Sequence, residues 1–470
     1  MGVDIGHKYI GGFKPQTNAW GRSPMLLGAG DGFEFGSESI EDNVALVMNE
    51  QMFGGPYRRK GSPGNITPGG DFPADLYYRD DAVHKMLAQV FGLDSYTSLG
   101  GGAHQHDLVM QTGSLEGIFG TLAFPGPEGI KELGSAKIVG VTISWDESRQ
   151  RGLATFSTVA HDSNENVGSP DDDFVVVSVA AAAGPLTITA GAQADFGYSA
   201  APSPIFVTKD AGVTAITVTL EVIDRFKVQK TVTLTTADFV ANVATDLLYV
   251  RQVLSGAVSG LTGSGNIKIG ITNGVNNAAT VAAITTGADR HEILFSQLEF
   301  LAKPQGDAGA LTAATSSAEN DEFFVSKLEV SIKHTPDSRV TSEYGNRISQ
   351  PVLGGGGWPT CGFTAGFSAH TSNSRRKLFA QRAKDDLRAI VRLIGPTIPG
   401  SSPAVAQSMT LYLNGIQYAT GGKKVGGPGV IPTDYAGEAH QAVAVPADFP
   451  AGTDEPCMIR IVNGRSSAYI

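Results

Sequence analysis

SAKIVGVTISWDESRQRGLATFSTVA, residues 135–160, is the stretch on which the fold turns. Within it Val139, Val141, Ile143 and Trp145 recur at every second position. That period puts side chains on one face of a β-strand. The charged run ESRQR follows, and GLATFSTVAHD then supplies a second β-prone segment. Two such runs around a short turn read as an antiparallel hairpin.

The rest of the chain carries the same signature. Its 59 glycines and 24 prolines make up more than a sixth of the 470 residues, above the usual share of about 12%. With abundant Val, Thr and Ile, this favours short strands joined by turns. The length suits about three domains, and 41% hydrophobic residues suffice for their cores.

Residues 1–35 show no period and read as an extended N-terminal arm that needs a partner to become ordered. A first unit spans 36–165. It opens with a Pro- and Gly-rich loop, Gly55–Asp71, of a length that is functional or disordered inside a compact domain. One helix follows. Asp80 and Asp81 suit its start; Val83, Met86, Leu87 and Val90 fit one helical face; Gly92 suits its end. NVGSPDDD, from Asn166, reads as a linker. A second unit, 166–288, is an inserted β-sandwich in which Ile216, Val218, Leu220 and Val222 share a face. The third unit, 289–470, repeats the pattern of the first. VSKLEVSIKHTPDSR, with Leu328, Val330 and Ile332 alternating, mirrors the strand at 135–150. The segment from Gly354 to Asp385 mirrors the loop-strand-helix of the first unit. DLRAIVRLIGP fits both periods and reads as a strand beside MTLYLNGIQYA. A duplicated unit with a decoration between the copies points to architecture over catalysis.

The net charge of −11 and the lack of a basic stripe argue against tight sequence-reading of nucleic acid. Two cysteines, Cys361 and Cys457, are too few for a disulfide scaffold or a cysteine zinc site and read as buried thiols. The start lacks a signal-peptide core, and the longest apolar run, from Phe174, is too short to span a bilayer. A soluble protein made in the cytoplasm is expected.

His104 and His106, in GGGAHQHDLVM, look like metal ligands. An H-x-H on a strand points both rings to one side, but two ligands need a third. His7, His84, His161, His291, His334, His370 and His440 are scattered singly. No metal is expected. GGGGWP and LGAGDGFEFG lack the continuations of phosphate-binding loops. No nucleophile elbow occurs, and no acid pair stands in a marked setting. No catalytic residue, cofactor-binding residue or cofactor is assigned. Tyr57, Arg58, Arg59 and Lys60, in the long loop, are read either as a solvated turn or as an interface, since Arg and Tyr are enriched there.

These segments together resemble the tail tube proteins (major tail proteins) of long-tailed bacteriophages. The resemblance rests on GDFPADLYYRDDAVHKMLAQVFG, AHQHDLVM, the 135–160 hairpin, DLRAIVRLIGP, MTLYLNGIQYATGGKKVGGPGVI and MIRIVNG. The middle unit resembles the Ig-like domains grafted onto virion proteins. The resemblance implies a mainly β fold: two β-sandwich or barrel-like tube modules, each with one short helix, plus an inserted Ig-like β-sandwich. It implies a non-enzymatic virion protein, assembled in the host cytoplasm, whose copies form homotrimeric pseudo-hexameric rings stacked into the tail tube. Tyr57–Lys60 would then lie in the ring-stacking loop, and His104 and His106 would be structural. The implied partners are further copies of the chain, a tape measure protein in the lumen, and tail terminator and tip proteins. DNA passes during ejection without specific binding, and no membrane is involved. The alternative is a β-sandwich receptor-binding or decoration protein of a virion.

Overall fold

The computed structural model describes residues 10–17, 19–21, 24–47, 62–111, 113, 115–126, 129–166, 179–180, 184–185, 203–224, 228–239, 245–263, 266–271, 284–287, 290–312, 321–336, 342–343, 347–353, 358–367, 386–423 and 433–470. The fold is mainly β, built of large antiparallel sheets.

The first part of the chain supplies β1 (Gly11–Pro15), β2 (Gly32–Phe33), β3 (Glu41–Val47), β4 (Ser62–Asp75), the helix α1 (Asp81–Phe91), β5 (Gly92–Gly100), β6 (Ala103–Met110), β7 (Gly120–Gly126), β8 (Gly129–Asp146) and β9 (Leu153–Asn166). Strands β8 and β9 form the expected hairpin, with Val141 opposite Phe156 and Ile143 opposite Ala154. Its turn closes on Asp146. The Asp146 carbonyl accepts from the Arg149 and Gln150 N–H groups, and its carboxylate accepts from the Ser148 N–H at 2.7 Å. One face assignment is corrected. A bulge between Ile138 and Gly140 shifts the register. Ile138, in place of Val139, therefore joins Val141, Ile143 and Trp145 in the core. An extra residue on one strand of a pair resets which side chains face inward.

The helix forms where its signals lie. Asp80 caps it, accepting from the Val83 N–H at 3.1 Å, and Gly92 ends it at φ 86°. A Cβ at Gly92 would stand 2.3 Å from Leu115, so only glycine fits that left-handed position. Val83, Met86, Leu87 and Val90 are buried as expected, and so are His84, Ala88 and Gln89. The helix is thus enclosed on nearly every side.

Between the two parts of the main body lie β10 (Val179–Ala180), β11 (Gly184–Pro185), β12 (Ser203–Lys209), β13 (Val213–Asp224), β14 (Gln229–Thr235), β15 (Thr245–Gly263) and β16 (Asn266–Ile271). They form a sheet of their own, in the order β10–β16–β12–β15–β13–β14, with β11 also on β15. Its two ends are continuous through β15, which pairs with β12 over Thr245–Val250 and with β13 over Val250–Gly263. Ile216, Val218, Leu220 and Val222 are buried on one face. The expected boundary at 288 is corrected. Thr285 already bridges Ala29, and Ile284 packs with Leu27, Ala123 and Ile130. The insert ends before these residues because their apolar contacts belong to the main body.

The last part supplies β17 (Leu298–Pro304), β18 (Glu322–Phe323), β19 (Val325–Lys333), β20 (Ser342–Glu343), β21 (Arg347–Ile348), β22 (Thr360–Phe367), β23 (Leu387–Thr397), β24 (Ala406–Lys423), β25 (Thr433–Ala439) and β26 (Cys457–Asn463). DLRAIVRLIGP is a strand, with Leu387, Ala389, Val391 and Leu393 buried and β24 as its antiparallel neighbour. The helix expected around 372–385 lies outside the described residues.

Two sheets make the main body. The first runs β3–β4–β9–β8–β19–β22–β25 and ends on the C-terminal half of β24; β7, β1 and β2 extend it beside the first half of β8. The second runs β5–β6–β26, the N-terminal half of β24, β23–β17–β18. Strand β24 therefore belongs to both sheets. Their inner faces share one hydrophobic cluster, in which Phe300 of the second sheet stacks on Phe363 of the first at 5.9 Å.

Three sequence expectations differ from this arrangement. Residues 11–15 are not a free arm. Strand β1 pairs with β7, and Phe13 is fully buried. Gly11 permits this, because the Phe33 ring lies where its Cβ would stand, at 2.7 Å. The second half of the Gly55–Asp71 loop is strand β4. There Gly70, at φ 155°, lets the Ser39 carbonyl approach to 2.3 Å from where a Cβ would be. The two outer units are also not separate modules. They interleave at two seams, β8 with β19 (Ile143 opposite Val330) and β6 with β26 (His106 opposite Ile461), around the one core. The mirrored segments hold unequal places: β22 adjoins β19, while β4 is separated from β8 by β9.

Candidate functional site: an open sheet edge and the histidine network behind it

Strand β5 is the end strand of the second sheet. Among the described residues it pairs with β6 alone. An end strand presents a row of unpaired N–H and C=O groups, and folded proteins usually blunt it with outward charge or proline. Strand β5, GLDSYTSLG, has neither. Its single charge, Asp94, is turned inward with a fully buried side chain. Leu93, Tyr96 and Leu99 are 41%, 38% and 43% exposed. At the sheet's other end β18 covers only Phe300 and Leu301 of β17, and the adjoining Phe324 is 61% exposed.

The edge is held from behind by the two histidines singled out in the sequence. On β6, His104 Nδ1 lies 2.8 Å from the Tyr96 hydroxyl, and its ring stacks on that of Tyr96 at 5.5 Å. His106 is fully buried. Its Nδ1 faces the Asp94 carboxylate at 3.2 Å, and its Nε2 faces the Arg465 carbonyl at 3.2 Å. Both ring nitrogens are thus engaged by groups of the protein itself, which fixes the ring in place behind the strand. Among the described residues no group of three His, Cys, Asp or Glu converges.

A second histidine extends this network to the helix. His84 Nε2 donates to the Tyr77 carbonyl at 3.1 Å, and its Nδ1 accepts from the Tyr469 hydroxyl at 2.9 Å. Asn463 donates to the same hydroxyl at 2.9 Å. This pattern requires a neutral His84, and burial pushes the ring down to about 4. The Tyr469 N–H donates to Asp94 at 2.6 Å. Arg465 donates to Asp81 at 2.6 Å and lies over the Tyr469 ring. The C-terminal residues thereby tie α1 to β5. On the other side of the helix start, Arg290 bonds Asp80 at 2.6 Å and Glu34 at 3.0 Å and covers the Tyr77 ring.

No protein-family model matches this chain, and no curated protein matches it.

Tyr57, Arg58, Arg59 and Lys60 lie outside the described residues. Sequence reasoning found His104, His106, Asp80 and Asp81. It missed Asp94, Arg290, Arg465 and Tyr469. Asp94 and Tyr469 are 375 positions apart, and nothing in local spacing joins them. The one available cue was Asp94 as the sole charge in an otherwise uncharged strand.

A shallow depression of about 270 Å³ lies over the β8–β19 seam, lined by Ser144, Asp146, Arg149, Lys327, Glu329 and Thr364 among others. Its charges have both signs, which suits hydrogen bonding to a small polar group.

Proposed function

We propose that this chain is a structural virion protein that polymerises into stacked rings, forming the hollow tail tube through which phage DNA passes during ejection. The observation that carries this reading is the open second sheet. Strand β5 offers an uncharged edge with exposed Leu93, Tyr96 and Leu99 at one end, and β17–β18 offers a short, partly covered edge at the other. Two different edges on one subunit pair head to tail, and a heterologous contact closes into a ring when its rotation permits. Three copies per ring, each bringing two interleaved halves, give the pseudo-hexamer. The net charge of −11 suits a conduit, since negative walls repel DNA phosphates. Further copies stack above and below, a tape measure protein occupies the lumen, and terminator and tip proteins close the ends.

Negative-stain electron microscopy of the purified chain over a concentration series tests this. Rings or hollow tubes with threefold or sixfold averages are expected. Dispersed single particles at every concentration, also after addition of preformed tail-tip complexes as initiators, would overturn it.

One observation favours a second reading, a receptor-binding or decoration protein. The outward face of β13, β14 and β15 carries Thr217, Thr219, Thr231, Thr233, Ser255 and Ser259 in cross-strand register. Such a hydroxyl array suits hydrogen bonding to a carbohydrate. Saturable glycan binding by chains that never assemble would favour this reading.

A further inference from the structure

The chain has two cysteines in 470 residues, and they meet. Cys361 is the second residue of β22 in the first sheet, and Cys457 is the first residue of β26 in the second. The backbone shows why they converge. Cys361 pairs with Ala439; the next residue, His440, donates its N–H to the Asn414 carbonyl; and the neighbouring Leu413 pairs with Cys457. This is the corner at which β24 passes from one sheet to the other. Both thiols are buried there, in side-chain hydrogen-bonding contact.

A buried residue touches roughly ten others, so two cysteines placed at random would meet in roughly 2% of cases, and in roughly 10% if both were confined to the core. Coincidence is thus a poor account. We propose that Cys361 and Cys457 form a redox-active dithiol that closes to a disulfide across this corner, stapling the two sheets. The partner it takes is a small disulfide oxidant such as oxidised glutathione.

The chemistry balances. One cysteine, as thiolate, attacks the oxidant's disulfide, forming a mixed disulfide and releasing one glutathione thiolate. The second cysteine attacks the protein sulfur of that mixed disulfide, forming the Cys361–Cys457 bond and releasing the second glutathione. The protein loses two electrons and two protons, and the oxidant gains them. The neighbouring Cys361 side chain, together with burial, pushes the Cys457 thiol well up, so reaction in the closed fold is slow. Both cysteines stand at strand starts, and Trp358, three positions before Cys361, is 82% exposed. Local opening of this rim admits the oxidant.

The proposal does not depend on the assembly reading. Full-length protein purified with reductant is equilibrated with oxidised glutathione about ten degrees below its melting midpoint, where local openings are frequent. The expected product is a monomer lighter by two hydrogens, with no thiol titratable after denaturation and one peptide joining the two cysteines, all reversed by dithiothreitol. Its melting midpoint should rise by at least about 5 °C, because the bond closes a long loop. Cys457→Ala should show no such redox-dependent shift. Two free thiols, a separate glutathione adduct on each cysteine, or a disulfide between chains would each overturn the proposal.

Discussion

Arg465 donates to Asp81 at 2.6 Å across 384 positions of sequence. Both side chains are mostly buried, and Arg465 also reaches the Ser467 and Ala468 carbonyls. Arg465→Ala should therefore lower unfolding stability by about 1–3 kcal/mol, the range for removing one partner of a buried charged hydrogen bond. Arg465→Lys should recover only part, since an ammonium lacks the planar fork. Urea denaturation of the three proteins decides. A midpoint for the alanine variant equal to wild type would show that the C-terminal clamp contributes nothing.

His84 gives a pH dependence with a defined sign. Burial holds the folded ring near 4, against 6.5 for an unperturbed histidine. Between those values the unfolded chain binds a proton that the folded chain refuses, so stability falls as pH drops from about 6.5 to about 4. Over that window the loss approaches about 3 kcal/mol at 1.36 kcal/mol per unit. His84→Gln keeps a donor and an acceptor but cannot titrate. Its stability should fall less steeply than wild type between pH 7 and pH 4.5. Parallel curves would show that His84 does not titrate on unfolding.

The edge of β5 can be blocked without touching the core. Ser98→Pro removes an N–H that faces away from β6, and Leu99→Lys places a charge on an exposed apolar position; both are devices by which natural edges avoid pairing. Each variant should remain folded, with a melting midpoint within a few degrees of wild type, and should fail to form rings or tubes. Normal tubes from the double variant would remove β5 from the assembly surface.

Excision of the insert should depend on where the cut is made. Replacing residues 172–279 by a short flexible linker keeps Ile284, Thr285 and Arg290 and should leave the main body folded. Extending the cut through 288 removes Ile284 from its cluster with Leu27, Ala123 and Ile130. That should cost about 2–4 kcal/mol, the range for deleting a large buried aliphatic side chain. Circular dichroism melts of the two deletions separate these outcomes.

Much of this fold is legible in local periodicity, because strands and caps are local. The hairpin at 135–160, the helix with Asp80 and Gly92 at its ends, and the inward sets Leu328–Val330–Ile332 and Ile216–Val218–Leu220–Val222 all follow from spacing. Val139 was misplaced because a bulge is a property of two strands, and one strand's sequence does not reveal the register of its partner. The N-terminal segment looked like a loose arm because its glycines carry no period. Their role, giving Phe33 room at Gly11, exists only once the chain has returned to that place. Of the candidate site, the histidines were visible but their partners were not. The C-terminal tail that holds them is linked to them by tertiary structure alone.

Strand β24 contributes hydrogen bonds to both sheets of the main body. Among the described residues, one layer of the main body therefore cannot lift away while the other stays intact. Opening either face strips backbone bonds from a strand the other face also needs. Amides around Met409–Leu413 and those around Gln417–Gly422 should then exchange with solvent at matched rates, as parts of one cooperative unit.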